Sequence, residues 1–168
     1  LSHALNNVGT ALARAGELAQ GLAALERSAE LAARVGAHAD VARAQLNQCL
    51  VLLAQRQVAE GLRRADLGVA HAESHGLDVM TVRLRVRRAH GRLMAGHWDE
   101  AQADLDELAR RHRPAPMEAC AMDYVAALLA LRRGQPGARG RLRQAAQAMR
   151  HHQVELWFLP TAAALAEA

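Results

Sequence analysis

Apolar residues return at three- and four-residue intervals along nearly the whole chain. Leu5, Val8 and Leu12 form one such series, Leu22 and Leu25 a second, Leu52, Val58 and Leu62 a third, and Leu93, Leu105 and Leu108 a fourth. This spacing gathers side chains on one face of an α-helix. The pattern is broken near Gly16, Gly36, Arg56, Gly76, Gly96, Pro114 and Gly134. Glycine at such points suits a helix end that needs positive φ. The breaks predict helices over 2–15, 18–35, 38–55, 58–75, 79–95, 98–112, 117–133, 138–151 and 155–167, with Pro160 kinking or starting the last.

The same breaks reveal a repeat. Shifting the chain by 40 residues lays the segment ending at Gly36 on the segment ending at Gly76, so that Gly21 meets Gly61, Leu22 meets Leu62 and Ala32 meets Ala72. Gly16 comes to Gly96 after a further step, with Leu18 on Trp98 and Leu25 on Leu105, and a shift of 38 then carries Gly96 to Gly134. Helix pairs of this length cannot cover their apolar stripes alone and stack to share a core. The expected fold is all-α: a solenoid of about four helix pairs plus a terminal helix, curved, with the first helix of each pair lining the inner surface. Its repeats are 1–36, 37–76, 77–114 and 115–152, with a partial unit over 153–168. A compact bundle is the competing architecture, and it would not need a 40-residue register of small residues.

Composition supports helices over strands. Of the 168 residues, 51% are hydrophobic but only 2% aromatic, and an interior of Leu, Val and Ala favours helix and close helix approach. No apolar run is long and uncharged enough to span a membrane, and no signal-peptide pattern opens the chain. Cys49 and Cys120 are isolated within apolar stretches, as expected of buried thiols in a reducing cytoplasm. All 21 basic residues are Arg, which removes phosphate-loop and Schiff-base lysine chemistry from this segment. A start at Leu1, already beside a helical pattern at Ser2, suggests a piece of a longer protein.

Gly9, seven positions before Gly16 and followed by Gly21 and Leu25, resembles a tetratricopeptide repeat, and Gly96 to Ala109 (GHWDEAQADLDELA) is the best single match, with Trp98 and Ala101 on packing positions. SHALNNVGTAL, LERSAELA, HADVARAQLN, HGLDVMTVRLRVRRAHGRL and LRRGQPGA follow in an order and spacing that resemble, from end to end, the C-terminal repeat region of large bacterial ATPase regulators of the STAND type. Such proteins carry a LuxR-type DNA-binding or a cyclase-like domain. This resemblance implies a cytoplasmic, non-catalytic arm that receives an effector or protein partner, including the ATPase module of its own parent chain. Neither nucleotide hydrolysis nor DNA binding is implied for the residues of this segment.

Candidate chemistry is sparse, and neither a cofactor nor a metal is expected. His71 and His75 share a helix face and invite a metal, but HAESH lacks the order of a zinc-protease helix and the sequence offers no evident third ligand, so a solvated helix end is the expectation. His151 and His152 are adjacent and splay apart. The glycines of RRGQPGARGRLR, Arg132 to Arg143, lack the strand and the lysine of a phosphate loop. No nucleophile, base and acid constellation stands out.

Charge is uneven. Residues 1–82 carry 7 Arg against 8 acids, residues 83–168 carry 14 Arg against 9, and 132–152 hold six Arg and no acid. That stretch is a solvated surface, a dock for an acidic partner, or a contact for nucleic acid or another polyanion, the last disfavoured by the lack of interleaved aromatics. A second candidate surface comes from the helices expected inside. His3, Asn7 and Thr10 share a face, and the 40-residue shift continues it through Arg43 and Asn47 to Arg83, Arg87 and His90. Arginine and asparagine in a stripe suit an acidic peptide, since guanidinium pairs with carboxylate and amide with peptide backbone.

Overall fold

In a computed structural model of the chain, residues 1–111 and 114–151 are described; the ninth helix expected over 155–167 lies outside them. Eight helices follow one another: α1 (Ser2–Arg14), α2 (Leu18–Arg34), α3 (His38–Ala54), α4 (Val58–Ser74), α5 (Asp78–Ala95), α6 (Trp98–Arg111), α7 (Pro116–Arg132) and α8 (Ala138–His151). No strand occurs among the described residues, and no helix there is long and apolar enough to cross a membrane.

One turn design recurs. Gly16, Gly36, Arg56, Gly76, Gly96 and Gly134 all have positive φ. At each, the N–H of the following residue (Glu17, Ala37, Gln57, Leu77, His97, Gln135) donates to the carbonyl five residues back, at 2.8–3.0 Å. That bond satisfies a carbonyl the helix end would otherwise orphan. Arg56, with φ 60°, is the single non-glycine residue in this conformation among the described residues. The break near Pro114 is built differently: Ala115 is extended and Pro116 opens α7, where its missing N–H costs nothing.

Each helix packs on the next in sequence, and α1, α3, α5 and α7 also pack on one another in order, whereas α2, α4, α6 and α8 pack only on their sequence neighbours among the described residues, apart from an ion pair between Arg64 on α4 and Glu26 on α2. Burial follows. On α3, α5 and α7 nine residues each are buried, against four or five on α2, α4 and α6. The core is correspondingly strung out: one cluster joins α1, α2 and α3 around Leu25, others join α3, α4 and α5 around Leu84 and Cys49, and the largest joins α5 to α8 around Tyr124. The result is a repeating arrangement of consecutive helix pairs.

The small-residue register has a direct cause. A side chain on Gly9 would stand 2.7 Å from the carbonyl oxygen of Gly21, and one on Gly21 2.7 Å from the main-chain nitrogen of Ala13, so the backbones of α1 and α2 touch. Forty-residue steps from Gly9 lead to Cys49 and Ala89, both fully buried and both small.

Candidate functional site

The helices that pack on each other carry the predicted polar stripe, and the structure resolves it into two parts. On α1 and α3, His3 and Asn7 are exposed while Arg43 and Asn47 are half-buried. His3 Nδ1 and Arg43 Nη1 lie 3.0 Å apart, and Arg43 also pairs with Asp40 at 3.2 Å. Asn47 Nδ2 donates to Asn6 Oδ1 at 3.1 Å, making the buried Asn6, rather than Asn7, the asparagine bonded to α3. Thr10 turns inward along its own helix, its hydroxyl donating to the Asn6 carbonyl at 2.8 Å.

On α5 the stripe sinks into the protein. Arg83 Nε donates to Glu118 Oε1 on α7 at 2.7 Å, and that carboxylate is buried. Arg87 is buried as well; burial pulls its guanidinium down to about 9, opposed by the Cys49 thiol and the Tyr124 phenol. His90 rests against the Tyr124 ring, centroids 6.1 Å apart, and burial, then the charges of Arg87 and Arg56, push its pKa down to about 3. The 40-residue shift therefore brings the eight residues onto consecutive contacting helices, with Arg87 buried, Arg83 and Arg43 partly exposed and each paired with an acid, and the exposed members, His3 and Asn7, on α1. Polar periodicity cannot tell an exposed arginine from one answered by an acid 35 residues away.

Burial drives the Cys49 thiol up to about 12, Arg87 opposing it, so that thiol is not a ready nucleophile. A shallow depression of about 480 Å³ lined by Glu73, Gly76, Asp78, Thr81, Arg85 and Arg111 lies among α4, α5 and α6, and within it Arg85 pairs with Glu73. It holds no arrangement of nucleophile, base and oxyanion donors.

The sequence reading missed a partner for His71 and His75. His38, the first residue of α3, lies against both: its ring stacks on His75 with centroids 3.7 Å apart and stands 5.4 Å from His71, while His71 and His75 are 4.4 Å apart. Each ring offers a nitrogen within 4.8 Å of the other two. Burial lowers the His71 pKa, the charges of His75 and then His38 adding to it and the His38 main chain opposing. The missing signal was the hairpin register. His38 stands 18 residues before the Arg56 turn and His75 19 residues after it, so an antiparallel pair sets them side by side. No family model, no curated protein and no solved structure matches the chain.

Proposed function

We propose that this chain is a non-catalytic helical-repeat arm of the tetratricopeptide type that binds a protein segment, serving a bacterial signalling ATPase or transcriptional regulator as the sequence resemblance implies. The observation that carries this reading is the packing of α1, α3, α5 and α7 on one another. A layer of consecutive first helices gives a continuous surface on which residues 40 apart come into line, and such extended surfaces are what repeat proteins use for binding. The solenoid geometry, the inner position of that layer and the cytoplasmic setting belong to the proposal. The groove opens at the α1–α3 end, where His3, Asn7 and Arg43 reach solvent. An acidic or carboxylate-bearing segment is the fitting occupant there, because Arg43, whose Nη1 lies against Asp40 and His3, keeps further guanidinium N–H groups for a carboxylate, and Asn7 presents an exposed amide to peptide backbone.

The test is fluorescence anisotropy of labelled acidic peptides titrated with the chain and with an Asn7→Ala, Arg43→Gln variant. Arg83 is left in place because it holds the buried Glu118. Saturable binding weakened at least ~tenfold in the variant, with circular dichroism unchanged, is the expected result, since each charge-assisted hydrogen bond lost costs about 1.5–3 kcal/mol. Absence of saturable binding, or binding indifferent to the substitutions, removes the groove.

A further inference from the structure

His38, His71 and His75 form a cluster that the proposed groove does not use. It joins the start of α3 to the end of α4, and the structure describes its donors in detail. The His75 Nδ1–H donates to the His71 carbonyl at 2.8 Å. A carbonyl can only accept, so Nδ1 carries the proton and Nε2 of the neutral ring keeps its lone pair. The Ser74 hydroxyl donates to the same carbonyl at 3.0 Å, closing the helix end around this ring. Metal-bound histidines are held in this way, with the distal nitrogen donating to a carbonyl so that ring orientation and tautomer are fixed.

The other two rings present a different feature. His38 Nδ1 and His71 Nε2 are buried and without a hydrogen-bond partner. Buried imidazole nitrogens are nearly always satisfied, and two orphans side by side in one cluster call for a shared acceptor of lone pairs. A proton on either ring answers one nitrogen only and sets a charge against its neighbours.

We propose that His38, His71 and His75 bind a divalent transition-metal ion, Zn²⁺ being the best match, through three imidazole nitrogens with a fourth position left for water or a partner's donor. Zinc at ~2.0–2.1 Å from each nitrogen sets its ligands about 3.4 Å apart in a tetrahedron. The nitrogens here lie within 4.8 Å of one another, so closure by at most about 1.4 Å brings them to that spacing. Imidazole-only donors select zinc, copper or nickel over magnesium or calcium.

The site belongs to one helix pair alone. Forty residues on, the corresponding positions hold Asp78, Arg111 and Ala115, and forty residues back from His71 and His75 stand Leu31 and Val35. The repeat therefore does not require histidine here. The bound ion would tie the two ends of the α3–α4 hairpin together across the open side of its turn, stabilising the folded state by an amount that grows with the logarithm of free metal above Kd.

Calorimetric titration of ZnCl₂ into the untagged 168-residue chain tests this. One ion per chain is expected, with Co²⁺ giving the visible ligand-field bands of a four-coordinate site. His38→Gln and His71→Gln should each weaken binding at least ~tenfold, as ligand loss exceeds the cost of losing a supporting contact. His97→Gln, at the start of α6, should leave it within about twofold, as expected of a surface position. Should a cluster variant fail to fold by circular dichroism, ¹⁵N ring-nitrogen shifts of the unsubstituted chain decide. Zinc-dependent movement of His38, His71 and His75 resonances supports the site. No saturable binding, binding that His38→Gln leaves unchanged, or shifts confined to other histidines overturns it.

Discussion

Helices α5 and α8 are both rich in arginine and use it in opposite ways. Five arginines lie along α5, and acids on three neighbouring helices answer four of them: Arg83 pairs with Glu118 on α7, Arg85 with Glu73 on α4, and Arg88 with Asp66 on α4 and Asp104 on α6, while Arg92 shares Asp104. Arg139, Arg141 and Arg143 of α8 are exposed, and Arg141 bonds its own turn at the Pro136 carbonyl. Packed on four other helices, α5 meets acids on three of them, whereas α8 packs on α7 alone among the described residues. Position in the stack, rather than arginine content, decides whether a guanidinium becomes part of the core or of the surface.

The strongest way to break this contrast is at Asp104, whose side chain is 3% exposed between Arg88 at 2.6 Å and Arg92 at 2.7 Å. Burial alone would lower the Arg88 pKa; the bonds to Asp104 and then Asp66 overcome it and hold it above its ordinary value. Replacing the carboxylate leaves two partly buried cations facing each other. Asp104→Leu is expected to cost on the order of 3 kcal/mol in urea unfolding. A loss under ~1 kcal/mol would mean that the α5 arginines are as dispensable as those of α8.

Acid sharpens the same contrast. His90 titrates near 3 in the folded chain and near 6.5 once unfolded. Between those values the unfolded state takes up a proton that the folded state refuses, so stability is full above about pH 6.5 and falls as pH drops toward 3, by up to about 1.4 kcal/mol per unit. His71, also depressed, adds in the same direction. The histidine described on α8, His151, is exposed. Urea midpoints measured from pH 7.5 to pH 5 should fall with acid, and His90→Gln should flatten the slope. An unchanged slope would place the acid sensitivity elsewhere.

Much of the fold was legible because it rests on local signals. The described ends of α1 to α7 and the start of α8 fell within a residue of expectation, most of them marked by glycine, since a positive φ at a helix end is a single-residue requirement. Arg56 was found only through the 40-residue shift, as nothing in arginine itself asks for φ 60°. The candidate site was legible only as a list of positions. Which residues of the stripe stay open depends on Glu118 and Tyr124, contributed by a helix one pair further on, and the histidine cluster depends on His38, 33 residues before His71. Both are contacts of the hairpin stack, and periodicity within a single helix carries no information about them.

The smallest effect is expected where α8 is stripped of charge. Arg139 lies in the first turn of α8, which has no acidic residue, and a cation there opposes the positive end of the helix dipole by about 0.3–1 kcal/mol. Loss of the Arg141 bond to Pro136 works against the relief gained at Arg139, and Arg143 lies on the exposed face. The triple change Arg139→Gln, Arg141→Gln, Arg143→Gln should therefore leave stability within about 0.5 kcal/mol, with the residual difference shrinking as salt rises. Thermal melts at low and high salt measure both. The same variant separates the two binding readings. Acidic-peptide binding at the α1–α3 end should be unaffected, whereas retention on a phosphate polymer, if this helix is a polyanion contact, should drop with a shallower salt dependence. A stability loss above about 1.5 kcal/mol would instead put these arginines in ion pairs as deep as those of α5, and the contrast between the two helices would fall.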